Sequence, residues 1–368
     1  MATGYVWHEL YGWHDTGTNA GLLPGDSSTL QPYLHFESPE SKQRFASLVE
    51  VSGLAAHLVR LEPQPDTDED ILRCHTPEHL ARLEAESLDP RGGDAGDGTS
   101  PFGYRGLDIA RLAAGGAIAA LEAVLDGRVR NAYALVRPPG HHARPETGMG
   151  FCMLGNAAIA IAKAQASRPG LRVAVMDWDV HHGNGTQAIF WEDPSVLTIS
   201  MHQDQLFPAE TGFLDECGGG RGEGYALNIP LPAGTGNEGY LHALSEVVVP
   251  AIRRFGPDAI VIPSGFDASC FDPLGRMSVT ADGYRAMTRV MMELADEACQ
   301  GRLMLTHEGG YSPTYVPICG VSVLSELCGV DVDVVHPLYR TFDDKPEQAL
   351  TSSQRSAVAA AKERHGLA

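Results

Sequence analysis

Four places in the chain put acids, imidazoles or a phenol directly after a short apolar run. Residues 132–136 lead into Arg137-Pro138-Pro139-Gly140-His141-His142, and residues 173–176 into Asp177-Trp178-Asp179-Val180-His181. Residues 259–264 lead into Gly265-Phe266-Asp267, and residues 303–306 into His307-Glu308-Gly309-Gly310-Tyr311. Asp179 and His181 are two apart, so an extended chain projects both to one side, with Asp177 on that side but deeper. With Asp267 they make a three-ligand nitrogen and oxygen set that leaves a coordination position open. That is the pattern of a catalytic zinc, not a structural one, although ferrous iron or cobalt would accept the same ligand types. His141 and His142 follow a rigid proline turn and, beside such a metal, would serve as general base and acid for a metal-bound water. Tyr311 follows two glycines that permit an unusual backbone path, so its hydroxyl can act as an oxyanion donor. Asp177 and Asn184 are candidate partners that fix imidazole tautomers. His182, next to a proposed ligand, reads as a packing residue.

These residues work together only if the runs that carry them end side by side. Apolar runs at 132–136, 173–177, 196–201, 259–264 and 303–306 read as buried strands. Helical stretches at 107–125, 156–166, 238–255 and 280–298 separate them, with Pro250 expected to kink or divide the third. Strand and helix in alternation call for a parallel sheet wrapped by helices, and ligands then gather outside the carboxyl ends of the strands. Before residue 100 the chain reads mostly as covering loops, with short helices near 41–52 and after the caps at Asp66 and Thr76. Residues 91–99 read as an irregular glycine-rich loop in which Asp94 and Asp97 form turns. No repeat or linker divides the chain, so one domain over residues 1–368 is expected, with a peripheral tail after about 340 that ends in a helix at 353–365.

A formal net charge of -20, from 27 basic and 47 acidic residues, argues against binding nucleic acid or anionic membrane through a basic field. The seven cysteines are scattered without a CxxC pair, which fits a reducing compartment. No apolar run approaches the roughly 20 residues of a membrane span, and the first residues lack the pattern of a secretory signal. A cytoplasmic location is the expectation.

Five ordered segments resemble the zinc-dependent histone deacetylases: residues 137–143, Gly150-Phe151-Cys152, residues 177–186, residues 264–268 and residues 308–311. Asn184 and the chain length resemble the class II branch, near the bacterial histone deacetylase-like amidohydrolases. The resemblance implies an arginase-like α/β fold of three layers, with a central, mainly parallel eight-stranded sheet between helices and long active-site loops. It implies one catalytic zinc per chain on Asp179, His181 and Asp267, with His142 as general base and acid and His141 as its electrostatic partner. Tyr311 then polarises the scissile carbonyl, and Asp177 and Asn184 hold the two imidazoles. Attack of a zinc-bound water on an amide carbonyl follows. Gly150, Phe151 and Phe207 match the walls of a narrow acyl-lysine tunnel, and Asp97 matches a rim acid that grips substrate backbone. The family also binds one or two structural potassium ions. Asp177, Asp179, His181, Ser200 and Met201 match one site, and Phe190, Asp193, Val196 and Tyr225 a second.

Relatives specialised for acetylpolyamines can carry an acid after the Asp-Pro of the third metal motif, where this chain has Leu274. An apolar residue there favours acylated lysine or other small acylamides over an acylated polyamine. The rival readings are an acetylpolyamine amidohydrolase, an acyl-lysine binding module on an inactive scaffold, and a ureohydrolase, which needs two metals. The glycine-rich N-terminal loops would suit either the tunnel mouth or a contact between copies in a homo-oligomer.

Overall fold

A computed structural model describes residues 2–23 and 29–367. Its central sheet has eight strands: β1 (Thr3–Val6), β2 (Leu58–Arg60), β3 (Asn131–Ala134), β4 (Val173–Asp177), β5 (Val196–Gln203), β6 (Ala226–Leu231), β7 (Ala259–Ser264) and β8 (Leu303–His307). They lie in the order β6-β5-β4-β7-β8-β3-β1-β2, each parallel to its neighbours. The principal helices used below are α1 (Glu40–Val51), α2 (Pro77–Ser87), α3 (Gly106–Leu125), α4 (Asn156–Ser167), α5 (Asn184–Ile189), α6 (Ala281–Cys299), α7 (Val316–Cys328) and α8 (Ser352–Arg364).

The apolar runs lack a polar alternation because both faces of the sheet are covered. Along β4, Val173 and Val175 enter the core shared with α3 and α4, while Ala174 and Met176 enter the core shared with α1, α6 and α7. The run of β4 passes to β5 on one side, and that of β7 to β8 on the other. A crevice therefore opens between the carboxyl ends of β4 and β7, the topological switch point at which open α/β sheets bind ligands.

Three strands depart from the sequence expectation. β1 and β2 fall in the stretch read as covering loops, because they are only four and three residues long and carry no period of their own. β6 contains Asn228 and Pro230, poor strand residues, and is tolerated at the sheet edge, where a missing N–H costs little. Within the loop 91–99, Gly93–Asp94 pairs with Pro101–Phe102 as a two-residue antiparallel ribbon. The break expected at Pro250 takes the form of a π turn, Leu244–Val248, between the helical segments Asn237–Ala243 and Val249–Phe255. The tail helix α8 docks on the edge strand β6, with Val358 and Ala361 buried.

The loop from β1 to α1 is tied to the end of β3 by charge. Arg137 is fully buried and donates through Nε to Glu37 Oε1 at 2.9 Å, and through Nη1 to the carbonyls of Tyr11 and His14 at 3.0 and 2.7 Å. Lys42 Nζ stands 3.0 Å from Glu37 Oε1, so one buried carboxylate faces two buried cations. Burial alone would push Glu37 up, but Arg137 and Lys42 outweigh it and hold the carboxyl at about 2, below its ordinary 4.5. That stabilisation is complete above about pH 4.5 and is lost as pH falls toward 2. Glu37→Gln leaves both cations uncompensated, and urea unfolding at pH 7 is expected to show a loss of roughly 3–5 kcal/mol. A change below about 1 kcal/mol would show that the buried charges contribute no more than an exposed pair does.

Candidate active site

The carboxyl ends of β3, β4, β7 and β8 deliver the four polar segments to one place. Asp179, His181 and Asp267 are buried, and their ligand atoms all lie within 4.8 Å of one another. His181 Nδ1 stands 3.1 Å from Asp179 Oδ1 and 3.1 Å from Asp267 Oδ2. Ligands held at roughly 2.0–2.2 Å by one tetrahedral ion stand about 3.3–3.6 Å apart, so the set fits a single small cation. Its electrostatics ask for one too. Burial and the Asp179 charge push Asp267 up to about 6, and His181, although burial works against it, is held protonated to about 10 by Asp179 and Asp267. A dication would replace that proton. A second group, His141, Cys152 and Glu308, is equally compact, but His141 Nδ1 is already paired with Asp177 and Glu308 Oε2 with two backbone amides.

Each carboxylate is fixed by an amide of a neighbouring segment. Asp179 Oδ2 accepts from Gly309 N and Asp267 Oδ1 from Val180 N, both at 2.9 Å. Glu308 Oε2 accepts from Gly140 N and His141 N at 2.6 and 3.0 Å.

The two adjacent histidines have different partners. His141 Nδ1 meets Asp177 Oδ2 at 2.9 Å, and His142 Nδ1 meets Asn184 Oδ1 at 2.7 Å. Burial works against the charged form of both. For His141 the Asp179 and Asp177 carboxylates win and hold it protonated up to about 10. For His142 burial, His141 and His181 together keep the ring neutral, its pKa well below the usual value. Because the oxygen of Asn184 is an acceptor, the His142 proton sits on Nδ1 and Nε2 is left as a base. Asn184 is itself placed at the first turn of α5.

Above these groups lies a cavity of about 260 Å³, overwhelmingly apolar. Phe151 and Phe207 line it from two different loops, together with His142, His181 and Tyr311. The Phe207 ring stands edge-on to His142 at 5.0 Å, and the Phe151 ring edge-on to Tyr311 at 5.6 Å. Gly150 belongs to the wall because a Cβ there would stand 2.3 Å from the His142 ring, and its φ is 55°. Phe151, at φ 71°, is held in a conformation uncommon for a non-glycine residue. Asp97 Oδ2 accepts from Gly150 N and Ser100 Oγ from Phe151 N, both at 2.7 Å, which fixes that backbone. Leu274 lies on the cavity wall, whereas Asp97, half-buried, reaches that wall only through the Gly150 amide.

Of the residues singled out for potassium, Asp179 and His181 belong to the metal set as well, Asp177 ends β4, and Ser200 and Met201 lie on β5, while Phe190 and Asp193 follow α5, Val196 opens β5 and Tyr225 precedes β6. Asp177 is in register with Ser200, and Met201 follows it, buried. In the second set Phe190 O accepts from Asp193 N, Asp193 O from Val196 N, and Tyr225 O from Thr198 N. His182 bonds Thr211 and Gln187 and takes no part in the metal set.

Sequence reasoning left out Leu22, Thr99 and Leu206, which complete the cavity wall. Leu22 carries no readable signal, being one apolar residue in an aperiodic loop. Also left out was Asp272, although that residue opens the Asp-Pro pair used to place Leu274; its carboxylate accepts from Tyr311 N at 2.7 Å and from Leu274 N at 2.9 Å.

Comparison with known proteins agrees with this geometry. The histone deacetylase domain matches residues 35–327. A histone deacetylase-like amidohydrolase of Pseudomonas aeruginosa is 46% identical over 369 residues, covering 99% of this chain and 96% of that protein. A probable deacetylase of Archaeoglobus fulgidus is 41% identical over 342 residues, covering 91% of this chain and 89% of its own. The crystal structure of the HDA15 HD domain superposes with a TM-score of 0.85 at 31% identity, covering 99% of this chain and 94% of that one. With the sheet order, the strand-end residues and these relatives in agreement, the chain belongs to the histone deacetylase family, enzymes that hydrolyse amides.

Proposed function

We propose that the chain is a zinc-dependent amidohydrolase that removes acyl groups from acyl-lysine or related small acylamides. One observation carries this reading: an apolar cavity of about 260 Å³ ends on a neutral imidazole, a protonated phenol and a three-ligand N/O set. Such a cavity takes an alkyl chain bearing an amide and rejects a broad or charged body.

Asp179, His181 and Asp267 would hold the zinc, which when bound supplies a Lewis acid for carbonyl and water alike. His142 Nε2 takes the proton of the attacking water and returns it to the departing amine. His141, hydrogen-bonded to Asp177 at 2.9 Å and set against the ring of His142, adds positive charge beside the developing negative one when it is protonated. Burial, together with the Asp267 and Asp179 charges, keeps the Tyr311 phenol protonated, so it can donate to the carbonyl oxygen as that oxygen gains charge. Phe151 and Phe207 exclude water and hold the alkyl stem, and Asp97 acts by fixing the Gly150 wall. Structural potassium at the two sets described above belongs to the same family reading; a single domain over residues 1–368, proposed from the lack of a dividing repeat or linker, and a cytoplasmic location, proposed from the scattered cysteines, rest on the sequence pattern. Among the described residues no helix is long and apolar enough to cross a membrane.

Substrate class follows from the mouth. Among the described residues the cavity wall, with Leu22, Leu206 and Leu274, carries no carboxylate to pair with a secondary ammonium, which favours acyl-lysine over acetylpolyamine. Zinc-loaded chain is expected to turn over acetyl-lysine reporters with a higher kcat/KM than acetylspermidine. Leu274→Glu narrows or reverses that ratio, and no release of amine from any of these substrates would end the reading. Tyr311→Phe is expected to lower kcat by roughly 10²–10³ with KM little changed, as for removal of one oxyanion donor. Asp179→Ala should abolish zinc retention after dialysis, whereas Asp177→Asn keeps the metal and loses rate. Equal zinc loss in both variants refutes that division of roles.

A further inference from the structure

Tyr311 enters the site from a loop whose backbone is gripped on both sides by groups outside the reacting centre. Its own amide donates to Asp272 Oδ2 at 2.7 Å. The carbonyl of the preceding residue, Gly310, accepts from Ser41 Oγ at 3.0 Å and from Lys42 Nζ at 3.4 Å. Gly310 has a φ of 123°, open in practice to glycine alone, so the path into Tyr311 depends on a conformation that local propensity does not fix. Ser41 and Lys42 sit in the first turn of α1, far away in sequence.

Lys42 also sets its ammonium 5.2 Å from the centre of the Tyr311 ring. It is 1% exposed, and its charge is not needed to neutralise Glu37, which Arg137 already meets with Nε at 2.9 Å and Nη2 at 2.8 Å. The trio therefore carries one positive charge in excess inside the core, against the face of the proposed oxyanion donor. Burying an ammonium without need is unfavourable by several kcal/mol in general, and a methionine would fill the same space without that cost. A cation on an aromatic face together with a charged hydrogen bond to the adjoining peptide restrains both the ring and its tether.

We infer that Lys42, assisted by Ser41, is a positioning residue for Tyr311: α1 clamps the Gly310–Tyr311 peptide and ring so that the phenol stays aimed at the substrate carbonyl. The inference rests on the amidohydrolase reading of the site. It assigns α1 a part in catalysis without contact to substrate or metal.

The test is a double-mutant cycle on an acetyl-lysine reporter, with zinc content measured for every variant. Lys42→Met leaves the Glu37–Arg137 pair neutral and intact, and is expected to lower kcat about tenfold with KM and bound zinc unchanged. Lys42→Arg should recover part of the loss. In a Tyr311→Phe background the same Lys42→Met change should cost less than about threefold, because the group it positions has lost its hydroxyl. Equal losses in both backgrounds, or a rise in KM at constant kcat, overturn the clamp and leave the amidohydrolase reading standing. A zinc-loaded parent chain that hydrolyses no acylamide overturns that reading, and the clamp with it. Should Lys42→Met not fold, Ser41→Ala runs through the same cycle, with a smaller loss that must likewise vanish in the Tyr311→Phe background.

Discussion

Repulsion between two buried carboxylates governs the centre of this molecule. Asp179 and Asp267 are both fully buried, and each stands 3.1 Å from the same imidazole nitrogen. An uncompensated buried charge costs several kcal/mol, and two in contact cost more. The pair is tolerable only with positive charge between them, which a proton on His181 supplies in part and a dication supplies in full. Folding and metal affinity are thus linked through one cluster.

The same acids organise the backbone around them. An acid beyond β8 holds the amides beyond β3, an acid beyond β7 holds an amide beyond β4, and an acid beyond β4 holds an amide beyond β8. This cross-pinning works because β4, β7, β8 and β3 are consecutive in the sheet. Loops joined to four separate strands thereby become one rigid floor, although none has a packed core of its own. Outside the floor, Arg137 extends the network to the N-terminal loops, and Lys42 extends it from α1 to the Tyr311 loop.

Legibility in the sequence followed the physical size of each signal. β4 was readable because a run buried on both faces must be apolar throughout, and its sudden change to Asp177, Asp179 and His181 marks the strand end. β1 and β2 were not, since a few residues at one side of a parallel sheet owe their conformation to neighbours and not to their own pattern. The metal set and the two imidazole partners could be placed from spacing and family motifs, whose residues converge in the fold. The tunnel wall was harder. Phe151 and Phe207 lie on loops, Leu22 and Leu206 are single apolar residues, and Lys42 reads as one more surface lysine on an amphipathic helix until the fold buries it.

His141 and His142 show how much the groups around a buried ring decide. The rings are adjacent in sequence, 3.9 Å apart by centroid, and buried alike. The Asp179 and Asp177 carboxylates make the charged form of the first the favoured one, while an amide oxygen opposite the second fixes the same ring nitrogen as donor without adding charge. The first charge then acts on the second ring and discourages its protonation. Neutral base and fixed cation are therefore coupled states of one pair. The partners of the two rings stand at the end of β4 and the start of α5, seven residues apart, so a single strand-loop-helix segment carries two of the three candidate metal ligands and both imidazole partners.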